Sequence, residues 1–157
     1  MIEFIDASVF LGMHSPNEKI RIACKNFFVK RLNQSVTMSL EQVGKCDDVI
    51  WSCFTDEEQA EYYPFMDRLH TMMKIKRIPY SNNDVQVSLS EFNLACLPLF
   101  GKLTLGMAMS KEGILYTVDP TLLVGDLPVK LLVGDDEELS FPEELEKHYQ
   151  RSLKVRI

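Results

Sequence analysis

Residues 108–119 read AMSKEGILYTVD, and this stretch decides the fold class. It closes a helix, predicted over about residues 99–112, at Gly113, a residue type that commonly ends helices. The β-rich run at 114–118 predicts a strand, which ends at Asp119. A helix, a glycine, a short apolar strand and an acid in that order are typical of α/β chains with parallel strands.

The same alternation continues in both directions. Toward the amino terminus the patterns predict a strand at 2–10, a helix that begins at the capping signature at 15–18, and a strand at 36–38. They also predict a helix at 39–54 and a helix from 55 to about 73, which Pro64 kinks or divides. On the same side they predict a turn at 82–83, a strand at 85–89 and a short helix at 90–98. Toward the carboxyl terminus they predict a strand at 129–133, a helix at 142–150 and an extended end at 153–157. Alternating strands and helices predict an α/β fold with a largely parallel sheet.

Composition limits the class of protein. The chain has 157 residues, of which 46% are hydrophobic and 25% charged, close to the average for globular domains. No apolar run reaches the length of a membrane span, and the first residues lack a basic signal-peptide region. We therefore expect a soluble, cytoplasmic protein without a membrane association. The four cysteines lack metal-ligand spacing, which favours reduced thiols over a zinc site.

The net charge of −6 argues against a nonspecific nucleic-acid binder, but the charge is unevenly spread. Residues 135–157 hold seven acids, beginning at Asp135, against four bases, and account for half of it. Basic residues cluster at 19–31 and at 68–77, so the net charge does not exclude a local patch that faces phosphates. We expect one domain at 1–134, with 135–157 as an acidic extension packed on it.

Three acids occupy special positions. Asp6 lies in an apolar strand, Glu41 in the first turn of a helix that follows a strand, and Asp119 directly after a strand. Ligands of parallel sheets bind at the carboxyl ends of strands, and a carboxylate in an apolar strand is costly unless it is paired or holds a cation. The pattern predicts a Mg²⁺ or Mn²⁺ site for phosphodiester hydrolysis. Alternatively, both acids have only local roles: Glu41 interacts favourably with the helix dipole, and Asp119 starts a turn.

Other side chains could assist such a site. Ser8 and Thr117 stand two residues from an acid and could hydrogen-bond a carboxylate or a metal-bound water, or be ordinary strand residues. Lys74, Lys76 and Arg77 could contact RNA, although a solvated basic helix face is the commoner role of such residues.

At this point the chain resembles the PIN domain family, the metal-dependent nuclease fold of VapC-type toxin ribonucleases. The resembling segments are residues 4–11, 36–41 and 108–119, the last followed by 127–132. The resemblance implies a three-layer α/β/α fold with a mostly parallel sheet of about five strands, and an acidic site that cuts RNA. It matches Asp6, Glu41 and Asp119 to three acidic positions as catalytic residues and ligands of Mg²⁺ or Mn²⁺.

The fourth acidic position of the family falls at Gly101, followed by Lys102. Asp84 or Glu91 could take its place in space. Two hypotheses follow: a PIN-like, toxin-like metal-dependent ribonuclease, or a degenerate PIN-like module that binds protein or nucleic acid without catalysis. The resemblance also implies RNA, a cognate antitoxin or a second copy of the chain as partners, with the apolar stripe at 65–73 as core or dimer surface.

Overall fold

The computed structural model describes residues 1–134 and 136–157, so Asp135 and the predicted boundary beside it lie outside the described residues. Five strands form one sheet in the spatial order β3-β2-β1-β4-β5, and every pair is parallel. The strands are β1 (Glu3–Ile5), β2 (Ser35–Ser39), β3 (Lys74–Ile78), β4 (Ile114–Thr117) and β5 (Val129–Leu131). The strand order reverses at β1, and this is where parallel sheets place ligands.

Helices cover both faces of this sheet. They are α1 (Ala7–Gly12), α2 (Glu18–Val29), α3 (Leu40–Cys53), α4 (Asp56–Met72), α5 (Asn82–Ser90), α6 (Leu99–Ser110) and α7 (Glu143–Ser152), with 3₁₀ turns at Phe92–Leu94 and Pro120–Leu122. A large apolar core joins the sheet to α1–α4 and α7, and a smaller core joins its other face to α6 and the 3₁₀ turns. Neighbouring residues Phe4 and Ile5 belong to different cores because side chains alternate along a strand. The expected three-layer α/β/α architecture is confirmed.

Local signals explain most helix starts. Ser39 caps α3 by accepting a hydrogen bond from the amide of Gln42, and Thr55 forms a full capping box with Glu58 at α4. Pro64 was expected to kink or divide this helix; it lies within α4, which continues through it as one helix, so a division is wrong. The stripe on α4 predicted as core is buried at Phe65 and Leu69.

Five predicted elements differ from the structure, among them the short helix expected at 90–98, where only a 3₁₀ turn at Phe92–Leu94 forms. The strand expected at 2–10 ends at Ile5, because the Asp6 side chain caps a helix instead. The alternating run at 85–89 is helical, since Ser81 and Asp84 form a capping box that begins α5. Residues 74–78, interpreted as a basic helix end, form β3. Residues 153–157 add no strand, and Val155 is buried in the core.

The carboxyl-terminal segment is tied to the body by ion pairs. Lys25 is fully buried, and its Nζ lies 2.6 Å from a carboxylate oxygen of Glu138 and of Glu146. Arg21 also pairs with Glu138, and Arg68 of α4 pairs with Glu144 of α7. Part of the basic cluster at 19–31 therefore holds the acidic segment rather than facing solvent phosphates.

Within residues 1–134 and 136–157, no helix is both long and apolar enough to cross a membrane.

Candidate functional site at the carboxyl edge of the sheet

Asp6 lies directly after β1, in the middle of the sheet. Its Oδ1 accepts hydrogen bonds from the amides of Ser8, at 3.0 Å, and Val9, at 3.3 Å, and from the Ser8 hydroxyl. Its Oδ2 accepts one from the Thr117 hydroxyl at 2.6 Å. The side chain is 6% exposed, so a dense set of donors holds a nearly buried carboxylate in one orientation.

Burial raises the pKa of the Asp6 carboxyl, because removal from water disfavours the charged form. The hydrogen bonds from Ser8 and Thr117, and from the amides of Val9 and Ser8, favour the charged form and counter part of this effect. An additional positive charge at Oδ2 would favour ionisation further.

Asp119 is joined to Asp6 through Thr117. The Thr117 hydroxyl, which donates to Asp6, also accepts the backbone amide of Asp119 at 3.0 Å. Ser8 also belongs to this hydrogen-bonded group. Its Oγ lies 3.2 Å from the Oγ1 of Thr117 and accepts a hydrogen bond from the Val118 amide at 3.1 Å. Both residues predicted to assist the acids, Ser8 in the first turn of α1 and Thr117 at the end of β4, therefore contact the Asp6 carboxylate.

The Asp119 carboxylate has one occupied oxygen. Its Oδ1 accepts the amide of Thr121 at 2.9 Å and the Thr121 hydroxyl at 2.7 Å, which starts the 3₁₀ turn that follows. Within the described part of the chain, no donor contacts its Oδ2. The turn-forming role considered from the sequence is real, and it leaves half of the carboxylate available.

Glu41 is connected to the residues around Asp6 through a longer series of hydrogen bonds. Its Oε1 accepts the Tyr80 hydroxyl at 2.8 Å, and that hydroxyl lies 3.4 Å from the Thr104 hydroxyl. Thr104 accepts the side-chain amide of Gln42 at 3.1 Å, and Gln42 Oε1 accepts the backbone amide of Ala7 at 2.8 Å. A continuous series of hydrogen bonds thus links Glu41 to the residue that follows Asp6.

Tyr80, Thr104 and Gln42 were not identified from the sequence, because each is an ordinary polar residue until the fold brings it to this edge. Burial raises the pKa of Tyr80 to about 12, and the hydrogen bond to Glu41 acts in the same direction. The Tyr80 phenol is therefore a stable donor to Glu41 at neutral pH.

Metal-binding geometry is incomplete. Among the described residues, no group of three His, Cys, Asp or Glu side chains is placed to hold a metal ion. The first turn of α6, where the fourth acid was sought, contains Gly101 and half-buried Lys102 and no acid. Asp84 does not replace it, because its fully buried side chain pairs with Lys111 at 2.6 Å. Glu91 instead accepts the amide of Asn93 at the 3₁₀ turn.

The three predicted RNA-binding residues lie on β3, the edge strand, and all are exposed. Alternation along the strand directs Lys74 and Lys76 to one face of the sheet and Arg77, with Ile75, to the face covered by α3 and α4. The trio therefore borders the sheet edge without forming a single patch.

Solved structures of other proteins have a similar fold. VapBC2 from Rickettsia felis, solved bound to a DNA fragment from their promoter, aligns with a TM-score of 0.55 at 13% identity over 83% of this chain and 98% of that one. PAE2754 from Pyrobaculum aerophilum aligns with a TM-score of 0.51 at 15% identity over 78% of each chain. The fold is PIN-like, as the sequence resemblance implied.

The family follows from the sequence itself. A family model covers residues 1–157, and the chain belongs to that family, DUF6190, described as a family of unknown function. No curated protein matches the chain.

Proposed function

We propose that this chain is a PIN-like ribonuclease that hydrolyses RNA phosphodiesters with a Mg²⁺ or Mn²⁺ ion held at the carboxyl edge of the sheet. The observation that carries the proposal is the hydrogen-bonded group of Asp6, Ser8, Thr117 and Asp119, which places two carboxylates beside the point where the strand order reverses. Ligands of parallel sheets bind at such points.

The donor set suits a hard cation held by few protein ligands. Mg²⁺ prefers oxygen ligands and is commonly bound through one or two carboxylates together with waters and substrate phosphates. Asp6 accepts a single protein hydrogen bond at Oδ2, and Asp119 has an open Oδ2, so these two carboxylates would hold the ion. When bound, such an ion activates water and stabilises the leaving oxygen.

The protein's own groups would orient the site. Ser8 and Thr117 fix the Asp6 carboxylate and keep it from rotating away from the edge. Glu41, held by Tyr80, would hydrogen-bond a water at the same edge of the sheet. Lys74, Lys76 and Arg77 would contact the RNA backbone along the sheet edge, with an affinity that falls as salt rises.

An RNA-cleavage assay tests this proposal. Wild-type protein, Asp6→Asn, Asp119→Asn and the control Asp126→Asn are incubated with purified ribosomal RNA in Mn²⁺ or in EDTA. Asp126 is an exposed acid further along the loop to β5 and belongs to no part of the group. We expect Mn²⁺-dependent cleavage by the wild type and Asp126→Asn, and none by the other two variants. Equal cleavage by all four proteins, or cleavage in EDTA, contradicts the proposal.

A second candidate, a PIN-like module that binds a protein partner without cleavage, is favoured by Gly101 and Lys102 at the position of the missing acid. A cognate antitoxin is the partner that the VapBC2 likeness suggests. This candidate predicts no cleavage by any of the four proteins and a stable complex with a protein partner in gel filtration. It further predicts that Gly101→Asp introduces Mn²⁺-dependent cleavage, since the added side chain meets chiefly the flexible end of Leu122.

A further inference from the structure

An exposed aromatic ring stands at the carboxyl edge of the sheet. The chain has nine phenylalanines, and seven of them are at most 8% exposed. The other two are Phe92, in a 3₁₀ turn, and Phe100, in the first turn of α6, which is 59% exposed. A single exposed apolar residue is ordinary in a protein, so the position of Phe100 decides its meaning.

The direction of α6 places Phe100 beside the candidate site. The helix ends at Ser110, and β4 begins four residues later at Ile114, whose amide donates to the carbonyl oxygen of Ile2 at 2.9 Å. The end of α6 therefore lies at the amino edge of the sheet, and its first turn lies at the carboxyl edge. Because Cα–Cβ bonds tilt toward the start of a helix, the Phe100 side chain leans out beyond that edge.

Phe100 is also joined to the hydrogen-bonded series at this edge. Its carbonyl oxygen accepts the Thr104 hydroxyl at 3.0 Å, and residues four apart share one face of a helix. The Thr104 hydroxyl contacts Gln42 and Tyr80, and the Tyr80 hydroxyl donates to Glu41. Phe100 therefore begins one helical turn from the side chains that position Glu41.

Other exposed apolar residues adjoin the acids at the same edge. Leu40, the first residue of α3, directly precedes Glu41, and Leu123 directly follows the 3₁₀ turn that begins after Asp119. Apolar side chains and carboxylates therefore alternate around this edge. A nucleotide matches such a mixture, because its base has an apolar face while its phosphate can share a bound cation with carboxylates.

We propose that Phe100 stacks on a base of the bound RNA, next to the phosphate that lies at Asp6 and Asp119. This inference rests on the proposed ribonuclease function and adds to it a residue that contacts the substrate and affects its selection. Every base has a π-face, and stacking on an aromatic side chain strengthens the binding of a single strand. A purine offers a larger face than a pyrimidine, so the contact favours a purine beside the phosphate that is cut.

The surroundings of the ring favour a nucleotide over a protein partner. The cores of protein interfaces are depleted in charged residues. A protein that covered Phe100 together with Leu40 and Leu123 would also remove the carboxylates of Glu41 and Asp119 from water, which is costly without paired cations. A nucleotide covers the ring with its base and leaves the carboxylates to the ion.

Substitutions at this position separate stacking from apolar contact in general. Phe100→Leu removes the ring and keeps an apolar side chain, whereas Phe100→Tyr keeps the ring. Each is combined with Asp119→Asn, which under the proposed function prevents cleavage, and binding of labelled heptaadenosine in Mn²⁺ is measured by fluorescence anisotropy. Against Asp119→Asn alone, we expect Phe100→Leu to bind at least about fivefold more weakly and Phe100→Tyr to bind equally well.

Two controls define the contact. A heptamer of abasic residues has the phosphates without the bases, so Phe100→Leu should not change its affinity. Trp51→Leu removes another exposed aromatic ring, about 16 Å along α3 from its first residue, and should not change the binding of heptaadenosine. The proposal is overturned if heptaadenosine does not bind, or if Phe100→Leu has the same effect on both RNAs. It is also overturned if Phe100→Leu changes only the oligomeric state in gel filtration, which would assign the ring to a protein contact.

Cleavage kinetics separate this inference from the proposed function. With Asp119 intact, Phe100→Leu should raise the KM of Mn²⁺-dependent cleavage and leave kcat nearly unchanged. Binding that depends on Phe100, without cleavage by the wild type, would contradict the ribonuclease and support the stacking role. Cleavage with the same KM in the wild type and in Phe100→Leu would contradict the stacking role alone.

Discussion

Asp6 has two roles, because the carboxylate that would hold an ion also caps α1 and joins β1 to β4. The sequence identified this residue from the cost of an acid in an apolar run, and that argument is physical and local. The partners of the acids could not be found in this way. Gln42 and Tyr80 lie on separate elements, and only the folded sheet brings them to Ala7 and Glu41.

At the residue scale, a substitution of Gln42 tests the series of hydrogen bonds that links Glu41 to Ala7 at the carboxyl edge of the sheet. Gln42→Ala leaves the buried amide of Ala7 without its acceptor and Thr104 without its donor. An unsatisfied buried donor costs about 1–3 kcal/mol, so we expect the free energy of unfolding to fall by about that amount. Urea denaturation measures it, with Gln150→Ala on the exposed face of α7 as a control that should change little. Equal effects of the two substitutions would show that the network contributes nothing to stability.

At the scale of elements, the sequence predicted those with strong local signals and missed those that depend on neighbours. Capping residues marked α3 and α4 correctly. Besides residues 7–10, which are helical in α1 and not a strand, two short segments were assigned the wrong type. Alternation at 85–89 indicated a strand, whereas the capping box at Ser81 and packing against α6 make a helix. The strand β3 was missed because its basic residues are exposed and do not show the apolar pattern of a buried strand. An edge strand has a neighbour on one side only.

The packing of α5 on α6 depends on a glycine. A Cβ at Gly106 would overlap the Ser88 hydroxyl and lie 2.8 Å from the backbone oxygen of Asp84. Gly106→Ala should therefore destabilise the protein by about 1–3 kcal/mol through forced separation of the helices. Gly44→Ala on α3 meets nothing within 4 Å and should stabilise it by up to about 1 kcal/mol. Thermal unfolding compares the two, and the same sign for both would contradict this packing argument.

At the scale of the whole molecule, the bulk charge of −6 says less than its distribution. Acids of the last segment pair with Arg21, Lys25 and Arg68, so the acidity that first opposed a nucleic-acid enzyme is partly neutralised within the fold. The sequence showed the acidic segment and the basic clusters but could not show that they meet, because the paired residues are 76 to 121 positions apart.

His14 makes the stability of the whole fold depend on pH. It is fully buried against Ser152, 2.8 Å from Nε2, and burial lowers its pKa from 6.5 to about 3. The unfolded chain then binds more protons than the folded one between these values. Stability from this group is complete above pH 6.5 and is lost as pH falls toward 3.

We expect the free energy of unfolding at pH 5 to be about 2 kcal/mol lower than at pH 8 on account of His14. Urea denaturation at the two pH values measures the difference. His14→Gln should reduce it, whereas His148→Gln on α7 should leave it unchanged. A pH dependence identical in the wild type and both variants would show that another group is responsible.

The central claim, a cation held by Asp6 and Asp119, is tested most directly by anomalous diffraction from a crystal of the full chain soaked in Mn²⁺. The account predicts an anomalous peak in contact with Oδ2 of both carboxylates, which disappears in Asp119→Asn and persists in Asp126→Asn. A well-ordered edge without a peak at these atoms, or a peak that Asp119→Asn leaves unchanged, would contradict it.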